Sequence, residues 1–159
     1  MRKQFGKTLV ELAKNDDSIV LLIGDFGYGI IDEFQKLFPD RFFNMGICEQ
    51  TMISVASGMA LEGLKPYVYT ITPFLIERPF EQIKLDINQQ KANVTLVGYA
   101  DYPDQGPTHS EIDAQYMMKM FENIESFYPK NSLETHEAIL KSYKSLLPSF
   151  INLKKDKSL

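Results

Sequence analysis

The sequence has one cysteine, two histidines and no tryptophan among its 159 residues. A single cysteine excludes a disulfide within the chain and any Cys-x-x-Cys redox or metal motif. The histidines, His109 and His136, are far apart in sequence, and Cys48 stands alone. We therefore predict no zinc site and no other metal site in this chain.

Basic clusters and long apolar runs are also scarce. The formal net charge is −4 and the pI is about 5.2, whereas nucleic-acid binding needs a concentrated face of lysine and arginine. No apolar run approaches the roughly 18 residues that a membrane-spanning helix needs. Charges spread through the first residues argue against a signal peptide. We expect a cytoplasmic protein that binds neither nucleic acid nor membranes.

The sequence does have a regular alternation of strand and helix patterns, and 44% of its residues are hydrophobic. Continuous apolar runs are typical of strands buried on both faces of a parallel sheet, and 3.6-residue periodicity is typical of helices. Strands are predicted at 18–25, 41–46, 65–72, 93–100, 123–129 and 149–153, and helices at 3–16, 30–38, 49–61, 74–87, 112–120 and 132–147. The pattern predicts a single α/β domain over residues 1–153, with a mostly parallel, twisted sheet of about six strands and helices on both faces. Residues 154–159 are predicted to form a short charged tail.

In such a sheet, ligands bind beyond the carboxyl ends of the strands. The loops predicted at that edge are residues 25–30, 72–78 and 100–110, and Glu49 follows the second strand at the same edge. Candidate site residues are therefore expected in these four segments.

The glycine-rich stretch GDFGYG, residues 24–29, follows the first strand. Its glycines run G-x-x-G-x-G, which is not the G-x-G-x-x-G order of a dinucleotide-binding turn. We expect a loop in which Gly27 and Gly29 adopt positive φ or allow another chain to approach closely. Asp25, at the strand end, is a candidate polar residue of a site.

The second distinctive loop presents a histidine. Gly106 and Pro107 favour a rigid turn that would present Thr108 and His109 at the edge of the sheet. The alternative is an ordinary surface turn with a solvated histidine. A nucleophilic pair of Cys48 and His109 is a minor alternative, because a lone cysteine is more often a small core residue.

Glu49 heads a helix that is otherwise small and apolar. Burying a carboxylate is unfavourable unless a partner compensates for its lost hydration. The simpler interpretation is an acidic residue at a helix start, which the helix dipole stabilises by about 0.3–1 kcal/mol. Local rules leave both interpretations open.

Other polar and aromatic residues have ordinary interpretations when they are taken singly. Phe74 and Phe80 are expected in the core, although Phe74 follows a proline at a strand end and so lies nearest the ligand edge. Arg78 has acidic neighbours and fits a salt-bridged helix start. His136, between two glutamates of an amphipathic pattern, is expected on a solvated helix face.

Taken together, the blocks FPDRFFNMGICEQ and GPTH resemble the pyrimidine-binding domain of the transketolase family. The resemblance extends over residues 9–153. This family uses thiamine diphosphate and includes the deoxyxylulose-phosphate synthases and split, two-gene transketolases. The resemblance implies transfer of a two-carbon ketol unit between sugars or sugar phosphates.

The resemblance also implies roles for individual residues. The glutamate of the GIxEQ block, here Glu49, binds the N1′ atom of the cofactor's aminopyrimidine and assists its proton transfers. Phe74 matches the aromatic residue that stacks on that ring, and Phe80 matches a second aromatic residue near it. Asp25 matches an acidic residue close to the cofactor and to a subunit contact.

Substrate contacts are implied in the same way. His109 of GPTH matches a catalytic-site histidine that lines the substrate channel and contacts the donor's hydroxyl groups. Many members have an aspartate before GPTH, where this sequence has Gln105, so the preferred sugar is left open. Arg78 is assigned to the substrate as well.

The family's diphosphate-binding domain, with its GDG…N motif, and its third domain are absent from these 159 residues. The resemblance therefore implies a separate diphosphate-binding subunit that holds magnesium and shares the thiamine diphosphate, in a heterotetramer of two plus two chains. We expect the small residues of the Glu49 helix, Ala56, Ser57, Gly58 and Ala60, to suit close packing at that interface. The alternatives are a subunit of a 2-oxo acid decarboxylase or dehydrogenase, and a non-catalytic scaffold.

Overall fold

The structure is a computed structural model that describes residues 1–100, 102–110 and 112–155, so most of the predicted tail lies outside the described residues. The strands are β1 Ile19–Ile23, β2 Phe42–Asn44, β3 Lys65–Ile71, β4 Thr95–Tyr99, β5 Glu125–Phe127 and β6 Ser149–Leu153. The helices are α1 Arg2–Ala13, α2 Asp32–Leu37, α3 Glu49–Leu61, α4 Thr72–Ile76, α5 Phe80–Gln82, α6 Ala114–Met118 and α7 Ser132–Lys144. A π-helix spans Ile83–Gln89, and short 3₁₀ turns span Pro39–Arg41 and Pro103–Gln105.

The strands form one six-stranded sheet in the order β2-β1-β3-β4-β6-β5, and every neighbouring pair is parallel. The predicted α/β class and strand number are confirmed. The central strands β1 and β4 are buried along their whole length, as their continuous apolar sequences predict.

Helices cover both faces of the sheet. Leu21 and Ile23 of β1 point into a core shared with α1, α2 and α7, whereas Val20 and Leu22 point into a core shared with α3, α4 and the π-helix. Because successive side chains of a strand alternate between faces, one apolar strand supplies both cores. Because neighbouring strands are parallel, their carboxyl ends lie at one edge of the sheet between these two cores.

The helix predicted at 74–87 is broken. The chain leaves α4 at Ile76 and re-enters helix at Phe80, before the π-helix begins at Ile83. Pro79 explains the break, because it has no N–H for helical hydrogen bonding and its ring clashes with the preceding turn. The break places Arg78 between two helices at the carboxyl edge.

The small residues of α3 do not form the expected interface stripe. Ala56 and Ser57 are buried within the chain, and the Ser57 hydroxyl donates to the Asp86 carbonyl of the π-helix over 2.7 Å, whereas Gly58 is exposed. Ala56 and Ser57 already pack inside this chain, so they are not available to a partner subunit. The expectation of a common packing face was wrong.

Two further expectations were wrong. Cys48 is exposed and precedes α3, so it is not a core residue. The ring nitrogen Nδ1 of His136 lies 3.0 Å from the hydroxyl of buried Thr8, so His136 joins α7 to α1 instead of facing only solvent.

Within the described residues, no helix is both long and apolar enough to cross a membrane. The same residues contain no group of three or more His, Cys, Asp or Glu side chains arranged to hold a metal ion.

Candidate functional site

Glu49 is the first residue of α3 and is only 3% exposed. Its carboxylate has a partner: Arg78 Nη1 lies 2.8 Å from Glu49 Oε1. The first turn of α3 adds the favourable end of the helix dipole. In the described part of the chain, Arg78 is the only residue that donates a hydrogen bond to this carboxylate, and it does so to one oxygen. The oxygen Oε2 is therefore an acceptor without a donor among the described residues.

Phe74 lies in α4, directly after β3, and its half-buried ring contacts two other residues. The Arg78 guanidinium carbon lies 3.5 Å from the ring centroid, which is a close cation–π contact. The His109 ring meets Phe74 edge-on, with 4.8 Å between centroids and 64° between planes. We call the four residues Glu49, Arg78, Phe74 and His109 the edge cluster.

The edge cluster is assembled from three segments that follow β2, β3 and β4 in the chain. Because these strands are parallel, their carboxyl ends bring the segments together although the residues are up to 60 positions apart in sequence (49 to 109). The structure thus places Glu49, Phe74, Arg78 and His109 in one continuous contact chain, at the edge where ligands of such sheets bind.

His109 is held by its own turn. Gly106 has a φ of 92°, and the His109 amide donates to the Gly106 carbonyl over 3.0 Å. Thr108 Oγ1 lies 3.1 Å from His109 Nδ1, and Tyr102 approaches the imidazole edge-on at 6.5 Å. The turn therefore holds the imidazole near Phe74. Gln105, which directly precedes Gly106, is exposed.

Phe80 makes a different contact. Its ring lies 5.1 Å from Phe121 and packs on the α3 face of the core. In the residues that the structure describes, no ring contact joins Phe80 to Phe74. The sequence assigns both aromatic residues to one cofactor ring, whereas the structure brings only Phe74 into the edge cluster.

Asp25 lies at the end of β1, next to the loop that leads to Glu49. Its carboxylate accepts hydrogen bonds from Asn44 Nδ2 and the Tyr28 hydroxyl, both at 3.0 Å. These hydrogen bonds, Asn44's first, hold the pKa of Asp25 below its ordinary value. The hydrogen bond with Asn44 joins the loop after β1 to the end of β2. Asp25 itself has a φ of 49° and is exposed at the surface.

The glycine-rich loop behaves as its sequence predicts. Gly27 has a φ of 110° and Gly29 a φ of 75°. A Cβ atom on Gly27 would come within 2.9 Å of the Tyr69 ring, so this glycine allows close approach as well as positive φ. The predicted positive φ is confirmed, and the residue that approaches Gly27 is Tyr69 of the same chain.

Sequence reasoning missed one group beside the site. Arg2 Nε donates to the Tyr69 hydroxyl over 2.8 Å, and its guanidinium lies 4.7 Å from the Phe26 ring and 4.6 Å from the Tyr99 ring. Burial raises the pKa of Tyr69 to about 12. The sequence does show aromatic residues near the ends of three strands, which could have indicated this group. It does not show that Arg2, near the start of the chain, contacts all three.

A family model described as the transketolase pyrimidine binding domain matches residues 1–158. The chain belongs to this family. Thiamine diphosphate is the cofactor that membership implies.

The relatives of this chain differ in how much of their length it covers. The chain is 37% identical over 142 residues to a 1-deoxy-D-xylulose-5-phosphate synthase of Clostridium perfringens, covering 86% of this chain and 22% of that protein. It is 34% identical over 148 residues to an apulose-4-phosphate transketolase subunit of Actinobacillus succinogenes, covering 91% of this chain and 48% of that protein. A solved split-gene transketolase, described as an inactive β4 tetramer, superposes with a TM-score of 0.88 at 33% identity, covering 98% of this chain and 51% of that one. The chain thus spans about half the length of the last two and about a fifth of the synthase.

The edge cluster fits the pyrimidine end of this cofactor. The second Glu49 oxygen has no donor among the described residues, so it can accept a hydrogen bond from a protonated ring nitrogen. Phe74 supplies an aromatic ring for stacking. These features suit the aminopyrimidine ring of the cofactor.

Proposed function

We propose that this chain is the pyrimidine-binding subunit of a thiamine-diphosphate-dependent, transketolase-like enzyme that transfers a two-carbon ketol unit. The observation that carries the proposal is the edge cluster: a buried carboxylate with a free acceptor oxygen, next to an aromatic ring and a histidine held by its turn. In the part of the chain that the structure describes, Glu49 Oε2 is not among the fully buried atoms that lack a partner, so solvent reaches it and a ligand can replace that solvent.

In this proposal each residue of the cluster has a defined task. Glu49 binds the aminopyrimidine N1′ atom and holds a proton there. Phe74 stacks on the pyrimidine and fixes its plane. His109 faces the donor substrate and hydrogen-bonds its hydroxyl groups. When bound, the cofactor supplies the carbanion chemistry, and the protein supplies position and protons.

We further propose that a separate diphosphate-binding subunit completes the site and holds magnesium. The names of two relatives, one a transketolase subunit and one a split-gene transketolase, support a divided enzyme. Tyr28 and Ile47, which are 73% and 72% exposed beside Asp25 and Glu49, are apolar surface that such a partner would cover. A two-plus-two heterotetramer and a cytoplasmic location complete the proposal.

The substrates are proposed by class only: a ketose or ketose phosphate donor and an aldose acceptor. We propose that Gln105, exposed in the turn that carries His109, contacts the substrate, and that Asp25 lies close to the cofactor and to the partner subunit. The resemblance predicts Phe80 as a second aromatic residue near the cofactor, but its ring contact is with Phe121, so we propose a role for it in the core.

Reconstitution tests the proposed function. The purified chain is mixed with a diphosphate-binding transketolase subunit from the same source, thiamine diphosphate and magnesium, and is assayed with ketose and 2-oxo acid donors. We expect ketol transfer that requires both chains and the cofactor. Decarboxylation of 2-oxo acids without ketol transfer would favour the decarboxylase or dehydrogenase alternative. An assembled complex that is inactive with every donor would favour the scaffold.

A further inference from the structure

The Arg78 side chain contacts two other residues of the edge cluster. It lies in the break between α4 and α5, held on one side by the end of α4 and on the other by Pro79. From there it reaches Glu49, 29 positions earlier in sequence, and Phe74, four positions earlier. The four-residue spacing between Phe74 and Arg78 is that of neighbours on a helix surface, whereas the contact with Glu49 joins two distant segments of the chain.

The ion pair with Glu49 is asymmetric in burial. The Glu49 side chain is 4% exposed, whereas that of Arg78 is 36% exposed. The carboxylate therefore depends on Arg78 for compensation, while the guanidinium keeps contact with solvent. The contact uses a single oxygen of Glu49, so Arg78 fixes the carboxylate without saturating it.

The same guanidinium covers one face of the Phe74 ring at 3.5 Å. His109 packs on the ring from the side. The planar guanidinium stacks on an aromatic face and donates a hydrogen bond in its own plane, a combination that a lysine ammonium cannot reproduce. Arg78 thus links the orientation of the carboxylate to that of the aromatic ring.

We propose that Arg78 is a positioning residue that holds Glu49 Oε2 and the Phe74 ring in the relative arrangement an aminopyrimidine requires. This inference rests on the proposed function, because the ligand is the pyrimidine end of thiamine diphosphate. The sequence resemblance assigns Arg78 to the substrate, which stays a prediction; the contacts with Glu49 and Phe74 support the positioning role proposed here.

A double-mutant cycle on cofactor affinity tests the inference. Calorimetry measures the Kd of thiamine diphosphate with magnesium for the two-subunit complex containing wild type, R78M, E49Q or R78M/E49Q. We expect R78M to weaken binding roughly tenfold to hundredfold, the range for losing a charge-assisted hydrogen bond. Because Arg78 acts through Glu49, we expect the double variant to bind within about threefold of E49Q alone.

R41M is the matched control. Arg41 also stacks on an aromatic ring, with its guanidinium 4.1 Å from Phe38, and also pairs with an acidic residue, Asp17 at 3.5 Å, but it precedes β2 at the opposite edge of the sheet. We expect the Kd to be unchanged in R41M. If R78M does not assemble with the partner, R78K, which keeps the charge but not the planar group, completes the same cycle.

The outcomes separate this inference from the proposed function. An unchanged Kd in R78M, or losses from R78M and E49Q that multiply, would overturn the positioning role while leaving cofactor binding intact. An unchanged Kd in E49Q would overturn the contact between Glu49 and the cofactor, and a wild-type complex that binds no thiamine diphosphate would overturn the proposed function itself.

Discussion

The imidazole of His109 meets the edge of the Phe74 ring, with 4.8 Å between the two centroids. This contact joins the loop after β4 to the helix after β3, two segments that are 35 residues apart in sequence (74 to 109). Edge-on aromatic pairs contribute about 0.5–1.5 kcal/mol beyond their buried area. The contact therefore links a residue proposed to bind substrate to one proposed to stack on the cofactor.

We expect substitution of Phe74 and of Phe80 to have different consequences, because only Phe74 lies in the edge cluster. F74L removes the stacking ring and the His109 contact, so cofactor affinity of the two-subunit complex should fall several-fold, in line with the energy of one aromatic contact. F80L alters a ring that packs on Phe121, so it should lower the free energy of unfolding by about 1 kcal/mol and leave the Kd unchanged.

Calorimetry and urea unfolding of both variants measure these two quantities. An affinity loss in F80L equal to that in F74L would show that Phe80 also contacts the cofactor, as the sequence suggests.

The turn that carries His109 depends on a backbone conformation that favours glycine. Gly106 has a φ of 92°, and a Cβ atom there would meet nothing within 4 Å, so G106A adds conformational strain without a clash. We expect a loss of about 1 kcal/mol in the free energy of unfolding and lower ketol-transfer activity, because the imidazole would no longer be fixed.

G58A is the matched control for G106A. Gly58 lies in α3 with open space around its Cα, and alanine favours helix over glycine by about 0.8–1 kcal/mol. Urea unfolding of the isolated chain should show stabilisation in G58A and destabilisation in G106A. Equal changes of the same sign would contradict the conformational argument.

The free energy of unfolding should fall as the pH is lowered, because Asp16 becomes protonated. Burial alone would raise the pKa of Asp16, but hydrogen bonds from Lys65, Ser18 and Tyr143 outweigh it and hold the pKa well below its usual range. A carboxyl with a lowered folded-state pKa stabilises the fold above its unfolded pKa of about 3.9, and this stabilisation is lost as the pH falls below that value.

We therefore expect D16N to lower the free energy of unfolding at neutral pH by about 1–3 kcal/mol. We also expect the free energy of unfolding of D16N to fall less than that of wild type when the pH is lowered. Urea unfolding at neutral pH and near pH 3 gives both numbers. D17N is the control, since Asp17 is fully exposed. Parallel acid sensitivity in wild type and D16N would contradict the assignment to Asp16.

Much of the fold is visible in the sequence because each central strand is a continuous apolar run. Helix α3 spans Glu49–Leu61, as predicted from its small apolar residues and the glycine beyond them. The helix predicted at 74–87 is interrupted, because the hydrophobic period continues through Pro79 although hydrogen bonding cannot.

The site was only partly visible. Family motifs pointed to Glu49, Phe74 and His109, which the structure brings into one cluster. The pairing of Arg78 with Glu49 was not predicted, because it spans 29 residues and depends on how two loops meet at the sheet edge. The exposure of Cys48 was missed for a similar reason: burial of a small residue at a helix start depends on tertiary packing.

Binding of thiamine diphosphate with magnesium to the two-subunit complex tests most directly the claim that Glu49 contacts the cofactor. Calorimetry compares wild type with E49Q and with E62Q, which makes the same change just beyond the other end of α3, where Glu62 is exposed. We expect E49Q to weaken binding at least roughly tenfold, as for loss of a hydrogen bond to a charged group, and E62Q to bind like wild type. Equal affinity in wild type and E49Q would contradict the account.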